Sequence, residues 1–155
     1  MSVPEFWKAM IGSWTGENKL WLMPGDPSSD SKATARVEPL ANGKFLGVHY
    51  TWEESGETQE GFALVGASKD GTSAQATWVD SWHMGDSPMA LREVPSAPGV
   101  VALLGSYPAP EGPDWGWRVE FEPGGQDHWT MRMFNITPDG QEAPAVLAEF
   151  VRAPS

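Results

Sequence analysis

Asp80 stands between Trp78 and Trp82 in the alternating run Ala74-Gln75-Ala76-Thr77-Trp78-Val79-Asp80-Ser81-Trp82, so an extended backbone puts the carboxyl and both indoles on one face. If that face is inward, the carboxylate needs a reason to be there. A buried charge is costly unless it is paired, and otherwise it protonates. The sequence offers Arg36, Arg92, Arg118 and Arg132 as partners, or a ligand. Trp115 and Trp117 begin a second alternating run with Val119 and Phe121, and Trp52 ends a third with Leu46, Val48 and Tyr50. Pockets for flat apolar molecules are lined by such side chains with a few placed polar groups. The candidate ligand-binding set is therefore Trp52, Trp78, Asp80, Trp82, Trp115 and Trp117. The competing role for the same residues is plain bulk that fills a core.

The other reactive residue types are sparse. His49, His83 and His128 are far apart and show no i, i+4 spacing, and there is no cysteine, so no metal site is expected. On a continuous strand His83 lies three residues beyond Asp80 and faces away from it. His49 falls opposite the Leu46-Val48-Tyr50 face and should be exterior. Gly12-Ser13-Trp14-Thr15-Gly16 has the letters of a nucleophile elbow but reads as a strand start, without the strand-turn-helix setting an elbow needs. Glu53, Glu54, Glu57 and Glu60 cluster around a hairpin and read as a solvated turn. Asn18 shares the face of Trp14 and Leu20, a second polar group on an apolar side.

These side chains must be positioned by short strands. The chain has 155 residues, 40% apolar and 20% charged, which suits one domain spanning 1–155. Ten stretches change to a period of two: 13–23, 32–40, 45–54, 58–68, 73–82, 89–94, 100–107, 115–122, 128–136 and 145–152. Asn42-Gly43, Ser55-Gly56, Asp70-Gly71 and Asp139-Gly140 between them supply hairpin turns. Connections this short join antiparallel neighbours, because a parallel pair needs a long crossover. A meander of this many strands escapes its two exposed edges by closing. The predicted fold is thus all-β, an up-and-down antiparallel β-barrel of about ten strands. A short helix precedes it, signalled by Ser2 with Glu5 three residues on and by the apolar pairs Phe6/Met10 and Trp7/Ile11, ending at Gly12.

Composition excludes further classes. With 10 Lys+Arg against 21 Asp+Glu the formal charge is −11, the wrong sign for binding nucleic-acid phosphates. No apolar run is long enough for a membrane-spanning helix, and the first residues have no apolar signal core, so a cytoplasmic location is expected.

The segment Met10-Ile11-Gly12-Ser13-Trp14-Thr15-Gly16-Glu17, the stretch from Trp21 to Gly25, Glu60-Gly61-Phe62 through Val65-Gly66, and Trp78-Val79-Asp80-Ser81 together resemble the DUF1579 family. The glycine-tryptophan opening is also similar to that of calycins, the superfamily of lipocalins, fatty-acid-binding proteins and nitrobindin-like barrels. The motifs extend over most of the first 85 residues; the second half matches loosely. The resemblance implies a calycin-like closed barrel with a central cavity, Trp14 closing its floor, and no particular reaction. His128 falls near where nitrobindin-like barrels carry a haem-ligating histidine, but their surrounding motif is absent.

The expected function is a binding module for a small apolar or aromatic molecule, fatty-acid-like or similar, with no cofactor. A rival is a cofactor-free isomerase or cyclase using Asp80 as acid or base. Others are a haem-binding nitrobindin-like barrel and an oligomerising barrel packed solid, a homo-oligomer being compatible with each.

Overall fold

A computed structural model describes residues 7–154. Its elements are β1 (Gly12–Leu20), β2 (Ser29–Leu40), β3 (Phe45–Glu54), β4 (Glu57–Ala67), β5 (Ala74–Asp80), β6 (Met89–Val94), β7 (Val101–Tyr107), β8 (Trp115–Pro123), β9 (His128–Ile136) and β10 (Glu142–Arg152). Each strand pairs antiparallel with the next, and β1 closes the circle on β10 through a register running from Trp14↔Arg152 to Leu20↔Val146. This is the up-and-down barrel that the resemblance to calycins implies. The capping signal of the expected opening helix, Ser2 to Phe6, lies outside the described residues. Within them only Trp7 and Lys8 are helical, and tight turns from Met10 N–H to Trp7 C=O and from Ile11 N–H to Lys8 C=O lead into β1.

Alternation decides which side of each strand is core. Along β5 every second residue is buried, Ala74, Ala76, Trp78 and Asp80 inward and Gln75, Thr77 and Val79 outward. Val48 and Leu103 are 0% exposed and Val119, Met131 and Met133 1%, which leaves no water-sized void beside any of them. The middle of the barrel is packed, as interiors of small barrels commonly are. The Ser55-Gly56 hairpin joining β3 to β4 has positive φ at both central residues, 52° and 79°, the twist that a two-residue hairpin needs.

One end is sealed by aromatic rings. Trp14 and Trp129 meet edge to face at 6.2 Å, Trp129 stacks on Phe150 at 4.4 Å, and Trp7 meets Phe121 at 5.0 Å. The Trp14 Nε1–H donates to Met10 C=O at 2.8 Å. Arg152 lies 4.1 Å over the Trp14 ring and donates to the main-chain carbonyls of Ile11, Ala9 and Gln126. Trp14 thus closes the floor, as expected. On the outer wall Arg118 bridges Glu120 and Glu142, and Arg132 bridges Glu120 and Glu122.

Candidate functional site

The opposite end, the mouth, is shaped by how β5 stops. Asp80 Oδ1 accepts the main-chain N–H groups of Trp82 (2.8 Å) and His83 (3.0 Å). A short carboxylate that captures the next N–H groups competes with the strand ladder and ends it. Ser81 secures the turn from the other side. Its N–H donates to Glu60 C=O at 2.9 Å, and its hydroxyl donates to Gln59 Oε1 and accepts the Glu60 N–H. Two expectations are corrected here. Asp80 does not pair with an arginine: its second oxygen accepts the Tyr50 hydroxyl at 2.7 Å. And His83 does not face away from Asp80, because the chain is no longer a strand beyond residue 80 and curls back over the mouth.

Tyr50 reaches Asp80 by lying across a neighbour. Tyr50, Gly61 and Asp80 form one cross-strand row on β3, β4 and β5. A Cβ on Gly61 would stand 2.1 Å from the Tyr50 ring, so only glycine lets the phenol pass. The Trp78 Nε1–H donates in turn to the Tyr50 oxygen at 2.8 Å, giving a relay from Trp78 to Tyr50 to Asp80. Burial first, and then the Asp80 charge, push the Tyr50 hydroxyl well above its ordinary range, so it stays a neutral donor.

This frame delivers the His83 ring into a cage of indoles. It stacks on Trp52 at 5.5 Å, meets Trp82 edge-on at 4.9 Å, and lies 5.2 Å from Trp117 and 6.1 Å from Trp78. Trp78 and Trp117 are themselves parallel, 5.6 Å apart and 10° from coplanar. Burial holds the imidazole below its ordinary value of 6.5, against a smaller opposing pull from the Asp80 carboxylate.

Above the cage is a cavity of about 500 Å³, within the size range of small-molecule sites. Its aromatic wall is Trp21, Trp78, Trp82 and Trp117, with Met84 and Met89, and its polar groups include His83, Asn135 and Ser106. None of the residues lining it is Asp, Glu, Lys or Arg. Trp21 follows the end of β1, with its N–H donating to Ala145 C=O at 3.0 Å. Ala145 stands at a break in the β9–β10 register between Pro144 and Val146, an irregularity that turns it toward the mouth. A larger depression of about 650 Å³ lies on the outer wall over β4 to β7, lined by residues such as Leu64, Thr77 and Arg92, and no tryptophan or histidine reaches it.

Of the six residues expected from the sequence, Trp78, Trp82 and Trp117 line the mouth cavity. Trp52 is buried behind His83, Asp80 holds the turn beneath it, and Trp115 sits partly exposed at the rim opposite Tyr107. Tyr107, Asn135 and Met89 carry no such signal in the sequence, and His83, expected there to face away from Asp80, joins them at the cavity. The legible signal for His83 was an aspartate followed closely by residues whose N–H groups it can cap. His128 begins β9, at the floor end, whereas Asn135 near the other end of β9 reaches the mouth. His49 is on the outer surface, as expected, and there it pairs with Glu60 at 2.9 Å. The described residues gather no group of three or more potential metal ligands, and no helix among them is long and apolar enough to cross a membrane.

A family model described as "Protein of unknown function (DUF1579)" matches residues 4–152. No curated protein matches the chain. Among solved structures it is similar to the S-type phycobiliprotein lyase CPES from Guillardia theta, with 14% identity, a TM-score of 0.64, and coverage of 100% of this chain and 94% of that one. At that identity the likeness shows a shared fold.

Proposed function

Since the chain belongs to the DUF1579 family, which brings no assigned activity, the mouth itself must carry the reading, and we propose that the barrel binds one small, flat, apolar or aromatic molecule there. The observation that carries this is the half-open cavity against the parallel Trp78–Trp117 pair, with the partly exposed Trp82 beside it. Trp82 keeps 39% of its surface exposed beside that cavity, apolar area that a ligand would cover. Burying ~200 Å² of a ligand's apolar surface there contributes on the order of 5 kcal/mol before the costs of association. That a phycobiliprotein lyase has the same fold supports a ligand role by analogy only.

Each residue then has a part. Trp78, Trp82 and Trp117 form the wall; Trp52 backs His83; Asp80 is a positioning residue, since its oxygens are engaged by Tyr50 and the 82–83 main chain. That engagement, and its absence from the cavity lining, disfavours Asp80 as a general acid or base. Because the middle of the barrel is packed, a long fatty-acid chain has no interior to thread, and a compact flat molecule suits the mouth better.

Tryptophan emission reports binding directly. Titration with flat aromatics, retinoids and fatty acids should give saturable quenching with the first group. Trp82→Ala should weaken it about tenfold, the loss of one ring contact of ~1 kcal/mol plus buried area, with the melting temperature little changed. Absence of saturable quenching across the panel, or quenching indifferent to Trp82→Ala, would remove the mouth as the site.

A further inference from the structure

Several hydrogen-bond donors of the mouth are uncommitted. The Tyr107 hydroxyl donates to Asn135 Oδ1, which commits the acceptor of that amide and leaves the Nδ2–H groups as what Asn135 has to offer. The His83 ring makes no side-chain hydrogen bond among the described residues; only its main-chain N–H is engaged, by Asp80. Trp117 is 93% removed from solvent (7% exposed), and its Nε1–H is buried without a partner among the described residues. Native structures seldom leave a buried donor unmet without a ligand, water or function to explain it. His83, Asn135 and Trp117, beside the other indoles and the hydroxyls of Ser87, Ser106 and Tyr107, thus line one cavity that contains no carboxylate, no ammonium and no guanidinium in its wall.

We infer that the mouth takes a planar aromatic carboxylate, its ring against the Trp78–Trp117 wall and its anionic end on His83 and Asn135, and that His83 accepts a proton from solvent as the anion enters. This rests on the mouth being a binding site, as proposed above. Ionic pairing needs a cation, and none of the lining residues is one until the imidazole is protonated. His83 is faced by Trp52 from β3, by Trp78 and the Asp80 carboxylate from β5, and by Trp117 from β8. Tyr107 on β7 lines the same cavity and stays neutral, its hydroxyl held above the usual value by burial. Burial favours the neutral imidazole, and an incoming carboxylate supplies the opposite charge that favours the protonated ring. The surrounding indole faces add to that preference. Neutral flat molecules share the wall but gain nothing from the proton.

Naphthoate and its neutral counterpart naphthamide separate these statements. Both are titrated by tryptophan emission against the wild-type protein and His83→Gln, near pH 8 and near pH 6. Naphthoate affinity should rise about tenfold or more over that range in the wild type and less than about twofold in His83→Gln, the ceiling for one coupled proton being about tenfold per pH unit. Naphthamide affinity should not change with pH in either protein. Calorimetry of naphthoate binding near pH 7.5, in buffers of unequal ionisation heat, should show net proton uptake by the wild type, a measurement independent of any variant. Equal, pH-independent binding of both probes, or no proton uptake, overturns the carboxylate assignment and leaves the mouth as a site. Failure of both probes to quench overturns the site and this inference together.

Discussion

At the residue scale, the placement of His83 makes the fold itself pH-dependent even without a ligand. Its folded value lies below the ordinary 6.5 because burial penalises the imidazolium. As pH falls, the unfolded chain therefore takes up this proton first. Stability from this group is fully present above 6.5 and is lost as pH drops from there toward the folded value. Melting curves should show the wild type declining as pH falls below about 6.5, with His83→Gln lacking that part of the decline. Parallel curves would mean that the ring is not held neutral in the mouth. The carboxylates act in a different window. Asp70, lowered to about 2 by hydrogen bonds from Ser68 and Thr72, and Glu142, lowered by Arg118, contribute stability above the ordinary carboxylate range that is lost only under stronger acid.

Among the elements, the wall is least cross-linked beside the site. Pairing of β6 with β7 comprises Arg92↔Leu104, Glu93↔Leu103 and Val94↔Ala102, three pairs against nine between β3 and β4. Toward the mouth both strands continue, as Met89–Leu91 and Gly105–Tyr107, outside that ladder. Met89, Ser106 and Tyr107 from these stretches line the cavity. Local opening is easiest where few hydrogen bonds must break. Amides of β6 should therefore exchange with deuterium on the order of tenfold faster than those of β3 and β4, and a saturating ligand should slow them. Uniform protection around the barrel would show that the seam is as tight as the rest. Strand endings were legible only in part. The expected stretch 73–82 ends at Asp80 because the carboxylate side chain, not a glycine or proline, terminates it, and 13–23 ends at Leu20, releasing Trp21 to the rim.

For the whole molecule, two electrostatic effects oppose each other. Exterior pairs such as Arg118–Glu142 and Lys19–Asp30 favour the fold and weaken with salt, but the 21 acidic residues outnumber the 10 basic ones and repel one another. Exposed pairs are worth roughly 0–1 kcal/mol each, and the unpaired surplus of acid should win. Raising ionic strength from about 0.01 M to about 0.15 M, which shortens the screening length from about 30 to about 8 Å, should raise the melting temperature. A fall would place the ion pairs in control.

What the amino-acid order determined by itself is the wall: period-two alternation with turn residues at hairpin spacing specifies antiparallel strands and which side of each faces in. His49 as exterior, and Trp78 and Trp117 as inward residues, follow from that rule, because alternation is local; Trp14 as a floor is what the resemblance to calycins implied. The mouth is not local. Whether Trp78 and Trp117 stack, whether Asp80 meets an arginine or Tyr50, and whether His83 returns to the cavity depend on strands β3, β5 and β8 arriving together and on a glycine at position 61 letting one side chain cross to another. Only closure of the barrel sets those distances, since each joins residues separated by 28 or more positions, or lies beyond the end of the strand that would have predicted it.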